Sequence, residues 1–168
     1  TYNPVIGTIL NAGDNQTLSV DFVPSDAVNY SEVINTQVQL SVGKATPVVS
    51  WENPAEIIYG TLLSDTQLNA SSNVAGAFTY SPASGSKLNA GVNQMLTADF
   101  VPTDTANFNP VYNIQAEITI NKATPEISWV APAAISYGTV LSAAQLNAIT
   151  TIDGTFAYSP VSGTLLNA

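Results

Sequence analysis

The sequence contains no cysteine and no histidine, and its three basic residues are all lysines. Without histidine or cysteine the chain cannot build a Ser-His-Asp or Cys-His nucleophile, nor a zinc site from the usual nitrogen and sulfur ligands. The absence of cysteine also excludes disulfides. No glycine-rich phosphate loop follows a strand and opens a helix. We therefore expect no catalytic residues, no bound cofactor and no enzymatic activity.

Basic charge is scarce, since three lysines stand against twelve acidic residues and give a net charge of −9. Nucleic-acid binding depends on a basic surface, so this class of partner is excluded, as is attraction to anionic membranes. No apolar run approaches the roughly 20 residues of a membrane-spanning helix, and we expect no membrane insertion in this segment. Apolar residues make up 45% of the chain, which is typical of a folded protein.

The sequence is rich in self-similarity at one constant spacing. KATPVVSW, which begins at Lys44, returns as KATPEISW at Lys122, and we call the distance between these two lysines the repeat interval. Residues 44–90 match residues 122–168 at 28 of 47 positions without a gap, which excludes chance similarity.

The repeat interval divides the chain into parts of three copies. Residues 1–43 match the second half of the following copy at 20 of 43 positions, again without a gap. We predict the second half of a repeat over 1–43, a complete repeat over 44–121 and the first part of a third over 122–168. This register is expected of a window on a longer tandem array.

Apolar and polar residues alternate along most of the chain, which is typical of antiparallel strands with one solvated face. Leu96, Ala98 and Phe100 are predicted to point inward from one strand. Breakers such as Asn53-Pro54 and Ser81-Pro82 separate such runs at intervals that predict about seven short strands per repeat. Two sheets packed face to face would bury the apolar sides. In the last strand of the complete repeat the predicted inward residues are Tyr112, Ile114, Ala116, Ile118 and Ile120. The first copy shows the same alternation from Ile34 to Val42.

Several motifs recur at equivalent positions: K-A-T-P-x-[IV]-x-W, I-x-Y-G-T, L-x-x-x-Q-L-N-A and D-F-V-P-[ST]-D. Together they resemble bacterial immunoglobulin-like repeats of the type that carries a Tyr-Gly motif. The resemblance covers the whole chain. It implies an all-β fold of tandem immunoglobulin-like antiparallel β-sandwiches in a secreted or cell-surface protein, and it brings no catalytic residues.

A corner motif precedes the last long strand of each copy. Asp26 lies four residues before Tyr30, which resembles the tyrosine corner of immunoglobulin-like sandwiches, where the hydroxyl bonds back to the backbone. The complete repeat has Asp104 and Phe108 at these positions. Because Phe108 has no hydroxyl, we expect packing alone to hold its corner, and we expect Tyr30→Phe to be tolerated.

Two aspartates recur in each copy and raise the question of a calcium site. We expect them to be structural, because an outward-facing strand aspartate and a turn aspartate each have local partners. Calcium prefers six to eight oxygen ligands, and no dense acidic loop is present. Glycosidase chemistry is not expected, since other acids are lost between copies. The calcium candidates are Asp21, Asp26, Asp99 and Asp104.

Two further features have a functional alternative beside a structural interpretation. Lys44 and Lys122 begin their repeats, where we expect them to solvate a short joint; the alternative is a Lys-Asn isopeptide bond. Tyr59-Gly60 is expected to form a tight turn, with a sugar-binding aromatic platform as the alternative. The asparagines eligible for the isopeptide bond are Asn35, Asn113 and Asn121.

The joint between repeats is short, and its Thr46-Pro47 step favours an extended link. We therefore expect successive domains to sit end to end, as a spacer or stalk module of an extracellular adhesin-like protein, with neighbouring repeats as partners. One alternative is a binding module for glycan or surface protein, acting through end loops such as Ser71–Ala75. Another is a filament whose half-repeats, 1–43 and 122–168, are completed by neighbouring molecules.

Overall fold

The computed structural model describes residues 1–167, and the chain divides into two compact units, Thr1–Asn121 and a second unit from Lys122 onward. Nine β-strands and no helix occur in the described part of the chain. Accordingly, no described segment is a helix of the length and apolarity needed to cross a membrane. The strands are β1 Tyr2–Asn3, β2 Gly13–Phe22, β3 Val33–Val42, β4 Val49–Ser50, β5 Ile57–Ile58, β6 Ser71–Ser72, β7 Gly76–Ser81, β8 Gly91–Pro102 and β9 Val111–Asn121.

The nine strands form three sheets in the order β1-β2-β3, β4-β6 and β5-β9-β8-β7. Every pairing is antiparallel except that of β5 with β9, which is parallel. The predicted all-β fold with antiparallel sheets is confirmed. Residues 44–121, predicted to form one complete repeat of about seven strands, contain the six strands β4 to β9. Leu62 and Lys87 form an isolated bridge outside these strands.

The two long hairpins, β2-β3 and β8-β9, lie one repeat interval apart in the sequence and have the same register. Leu18 lies opposite Val38, and Leu96 lies opposite Ala116. Both hairpins shift register at the same two places. These irregularities coincide with four asparagines at positive φ, a conformation that asparagine adopts more readily than other non-glycine residues. They are Asn15, Asn35, Asn93 and Asn113, with φ between 50° and 56°.

One irregularity overturns part of the predicted alternation. Ala116, Ile118 and Ile120 point inward as predicted, but Tyr112 is 64% exposed. Asn113, which lies between Tyr112 and these three inward residues, has φ 56°, and the strand register shifts there. A bulge adds one residue to a strand and so reverses the face of the side chains beyond it. The prediction for Tyr112 was therefore wrong.

The core of the complete repeat joins the inward face of β8 and β9 to the segment that precedes them. Leu63 and Leu68 from that segment are buried against Leu96, Ile118 and Ile120. Partly buried apolar residues extend the cluster, namely Trp51, Ile57, Tyr80 and Leu88.

A buried polar residue, Gln67, organises the preceding segment. Its side-chain oxygen accepts hydrogen bonds from the Ser64 N–H and hydroxyl, both at 3.1 Å. Its backbone carbonyl accepts the Trp51 indole N–H at 3.1 Å. The Leu68 N–H closes a single helical turn on the Ser64 carbonyl at 2.9 Å. One turn thus holds Trp51 over the core.

The second unit reproduces this arrangement one repeat interval later in the sequence. Trp129 donates to the Gln145 carbonyl at 3.0 Å and meets the Tyr158 ring at 5.4 Å, edge to face. Ser142 contacts the Gln145 side chain as Ser64 contacts Gln67. An isolated bridge joins Ser128 to Ile149, where residues 44–121 have the paired strands β4 and β6. A second isolated bridge joins Val140 to Leu165, as Leu62 is joined to Lys87.

Candidate functional site

The corner that precedes β9 is closed by a carboxylate and an amide. Asp104 accepts the backbone N–H groups of Ala106 and Asn107 at 3.1 Å, and its second oxygen accepts the Asn107 side-chain amide at 2.8 Å. The Phe108 N–H bonds the Asp104 carbonyl at 3.1 Å. The Asn107 side-chain amide, followed by its backbone N–H, lowers the pKa of the Asp104 carboxyl. The corner is therefore formed at neutral pH and weakens only as acid protonates this carboxyl.

The first copy has the same corner, but its tyrosine hydroxyl does not form the predicted hydrogen bond to the backbone. Asp26 bonds Val28 and Asn29 as Asp104 bonds Ala106 and Asn107, and the Asn29 side chain lowers the pKa of the Asp26 carboxyl. Tyr30 is 67% exposed, and within residues 1–167 its hydroxyl makes no hydrogen bond. Asparagine closes both corners, which explains how Phe108 can replace tyrosine.

Tyr30→Phe should change the free energy of unfolding by no more than about 0.5 kcal/mol, because an exposed hydroxyl without a protein partner contributes little. Urea denaturation of the two chains checks this. A loss of several kcal/mol would show that the hydroxyl has a structural partner after all.

The corner of the complete repeat also contacts the first copy. The Asn107 side-chain oxygen accepts the Ala12 backbone N–H at 2.7 Å, and its amide donates to the Asn11 side-chain oxygen at 3.3 Å. These partners are far apart in the chain. We name this the corner–turn contact. It joins the turn before β2 to the corner before β9 across the repeat boundary.

The linker between these two copies is fixed from the same corner. The Ala45 N–H donates to the Asn107 carbonyl at 2.9 Å, and the Asn109 N–H donates to the Ala45 carbonyl at 2.8 Å. The Lys44 ammonium donates to the Thr105 carbonyl at 2.7 Å. Three residues in and beside the corner, Thr105, Asn107 and Asn109, therefore hold Lys44 and Ala45 in an extended conformation.

The structure places the four calcium candidates in two different local roles. Asp21 and Asp99 accept the backbone N–H of Asn35 and Asn113 at 2.7 and 2.9 Å, so they stabilise the bulges. Asp26 and Asp104 close the corners. No three acidic side chains meet in a group that could hold a metal ion in the region from Thr1 to Asn167.

The isopeptide candidates occupy separate local environments. Lys44 bonds the Thr105 carbonyl, whereas the Asn35 and Asn113 side-chain oxygens accept glutamine amides two residues along the same strand. The Asn121 carbonyl accepts the N–H of Tyr59 at 2.8 Å.

Tyr59-Gly60 forms a turn directly after β5. Gly60 has φ 102°, a conformation that glycine adopts without steric cost. The Lys87 ammonium lies 5.4 Å from the centre of the Tyr59 ring, which fits a cation–π contact. The equivalent of Lys87 in the third copy is Leu165, so this contact is not part of the repeat.

The loop predicted over Ser71–Ala75 is only partly a loop. Ser71 and Ser72 form β6 and pair with β4, and the Asn73 side chain accepts the Val48 N–H at 2.9 Å. The sequence differences between copies in this segment therefore fall partly on the strand β6 and not on a loop alone.

Asn107 and Gln67 were not among the residues predicted to have a role, although both recur in or beside the repeated motifs. An aspartate followed three residues later by asparagine occurs in both corners, and a serine followed three residues later by glutamine occurs in both turns. Both spacings are those of side chains that satisfy backbone N–H groups at turns.

Comparison of the chain with protein-family models, with curated proteins and with solved structures found no match in any of the three.

Proposed function

We propose that this chain is a structural spacer, built from immunoglobulin-like β-sandwich repeats that stack end to end. In this proposal 44–121 is one whole repeat, whose two sheets pack around the Leu96 and Ile118 core, while 1–43 and 122–168 are parts of its neighbours. The resemblance of the motifs to bacterial surface repeats supports an extracellular, adhesin-like setting. The function is to hold other parts of a protein or fibre at a distance.

The corner–turn contact is the observation that carries this proposal. A flexible linker would leave two repeats free to bend, whereas a short linker fixed at both sides restricts them. Here Asn107 bonds the turn of the preceding copy, and the same corner holds the linker at Ala45. The parts that form the contact recur at the repeat interval, with Asn29 in the first corner and Asn89-Ala90 in the next turn. Each joint in an array would therefore have the same restraint.

Asn107→Ala should release the Ala12 amide and loosen the joint without unfolding either hairpin. A hydrogen bond of about 1 kcal/mol corresponds to an acceleration of amide exchange at Ala12 on the order of tenfold. Hydrogen exchange followed by NMR checks this residue by residue.

Asn29→Ala is the matched control, since it removes the equivalent bond to Asp26 within a corner and leaves Asn107 in place. Its Ala12 amide should exchange at the wild-type rate. If Asn107→Ala also leaves Ala12 protected, the corner–turn contact does not restrain the joint.

A further inference from the structure

One segment of the complete repeat runs beside β9 and in the same direction. The bridge between Ala45 and Phe108 is parallel, and so is the pairing of Ile57 with Ile120. Both pairs have the same separation along the chain, so the segment meets β9 and the corner before it in one register. We call residues 45–59 the strap.

The strap is bonded to its neighbour at its two ends and leaves it in between. At its start two backbone hydrogen bonds join Ala45 to the chain in and beside the corner. At its end the Tyr59 N–H donates to the Asn121 carbonyl at 2.8 Å, and the Asn53 side-chain oxygen accepts the Glu117 N–H at 2.8 Å. Between the two ends β4 turns away and pairs with β6. The strap therefore holds β9 and its corner at two separate patches.

The joint between the first two copies delivers tension directly to the first patch of the strap. β3 ends at Val42, and the next bonded residues are Lys44 and Ala45. Only Gly43 separates the strand from these residues. A pull along β3 therefore reaches the strap after almost no extension of the chain.

The positions of the strap and β9 decide how the complete repeat responds to tension along the array. The pull enters at Ala45 and leaves at Asn121, and these residues lie at opposite ends of the strap and β9. The strap and β9 are therefore drawn past each other in opposite directions. Hydrogen bonds between strands run across the strand direction, so the bonds of both patches are stretched together and must break in one event. Strands drawn apart from one end would break the same bonds one after another.

We propose that the complete repeat bears tension, with the strap acting as a mechanical clamp on β9. The inference rests on the proposed spacer function and deepens it, because a spacer keeps its length only if its repeats stay folded under load. Forced unfolding is governed by the unfolding rate, so bonds that break together lengthen the lifetime of the folded repeat under tension. The clamp acts on this lifetime and not on the free energy of unfolding alone.

The residues that bond the strap through their backbone recur one repeat interval later. Ala123 and Tyr137 stand at the positions of Ala45 and Tyr59, within the recurring K-A-T-P and Y-G-T motifs. The bonds at these positions are made by main-chain groups, which every copy possesses whatever its other side chains. Each complete copy in an array would therefore have the same clamp.

Single-molecule force spectroscopy of the full chain tests the clamp, with handles attached through introduced cysteines. The chain has no cysteine of its own, so two introduced thiols fix the points of pull. Gly43→Cys with Lys122→Cys pulls along the strap and β9, and an added Cβ at Gly43 meets nothing within 4 Å. Thr61→Cys with Lys122→Cys is the matched control, because it pulls the same two strands apart from one end. Thr61 and Lys122 are both exposed.

At one constant force we expect the lifetime of the complete repeat to be on the order of a hundredfold longer in the pull along the strap than in the pull from one end. The reason is that the four hydrogen bonds of the two patches break together in the first case and singly in the second. Equal lifetimes in the two directions would overturn the clamp. That result would leave the spacer function standing if the Ala12 amide stays protected, because the corner–turn contact does not involve Asn53 or Tyr59.

Asn53→Ala removes one bond of the clamp, and its equivalent in the third copy is already Ala131. We expect the lifetime to fall about tenfold in the pull along the strap and to stay unchanged in the pull from one end, where the Tyr59 bond breaks first. Asn69→Ala is the control, since the Asn69 side chain bonds the Thr66 carbonyl away from the strap, and it should change neither lifetime. An equal fall in both directions for Asn53→Ala would indicate a general loss of stability and would overturn the clamp.

Discussion

Phe100→Ala should lower the free energy of unfolding of the unit Thr1–Asn121 by about 3–5 kcal/mol, the range found when a buried phenylalanine is truncated and leaves a cavity. Phe100 is 1% exposed, and its ring stands 4.7 Å from that of Phe78. A loss of this size is a large share of the total stability of a small domain. We therefore expect this variant to be partly unfolded at room temperature.

Phe22→Ala is the matched comparison, since Phe22 occupies the same position in the first copy but is 62% exposed. It should cost about 0.5 kcal/mol or less. Urea denaturation in a Trp129→Phe background lets Trp51 report on the first unit alone. Equal losses for the two variants would show that the two faces are equally covered.

Gly76→Ala should destabilise the same unit by about 1–3 kcal/mol, as expected when a well-packed site receives an extra methyl group. The added Cβ would lie 2.4 Å from the Phe100 ring and 2.5 Å from the Val101 carbonyl oxygen. Neither neighbour can move freely, because Phe100 is buried and Val101 is paired with Ala77. The change therefore tests the closeness of β7 to β8 rather than the loss of a side chain.

Gly154→Ala is the control for backbone effects, because its Cβ has open space within its own chain. It should be neutral or stabilising by up to about 1 kcal/mol, since alanine restricts the unfolded chain. Thermal unfolding of the two variants compares them directly. If Gly76→Ala is as mild as Gly154→Ala, the contact with Phe100 does not constrain the fold.

Alternation along the strands and the constant repeat interval together predicted the strands that hold the core. They placed Leu96, Ala98 and Phe100 on the buried face, and the structure confirms this. The alternation failed at Tyr112 because one asparagine at positive φ shifts the strand by a residue. The recurrence of asparagine at each of these sites could have predicted the bulges, but the alternation of apolar and polar residues alone does not reveal them.

Burial of the first copy could not be read from its own residues. The run from Ile34 to Val42 alternates as regularly as its equivalent on β9, yet most of its side chains are exposed. Whether an apolar face is buried depends on which segment packs on it, and strand periodicity contains no such information. The strand from Val33 to Val42 was predictable from this alternation, whereas the covering of its apolar face was not.

The position of the corner was predicted from the sequence, but the residue whose hydrogen bonds close it was not. The resemblance to a tyrosine corner directed attention to Tyr30 and Phe108, whereas Asn107 makes the contact across the repeat boundary. A contact between residues so far apart in the chain leaves no local pattern. Only the recurrence of asparagine in both corners indicated that it has a role.

The rigidity of the joint is tested most directly by NMR residual dipolar couplings of the backbone amides in β2-β3 and in β8-β9. If the corner–turn contact and the fixed linker hold the two copies end to end, both hairpins should fit a single alignment tensor of one magnitude and orientation. Hairpins that require two different tensors in the wild-type chain would show that the copies move independently, and would contradict the spacer account.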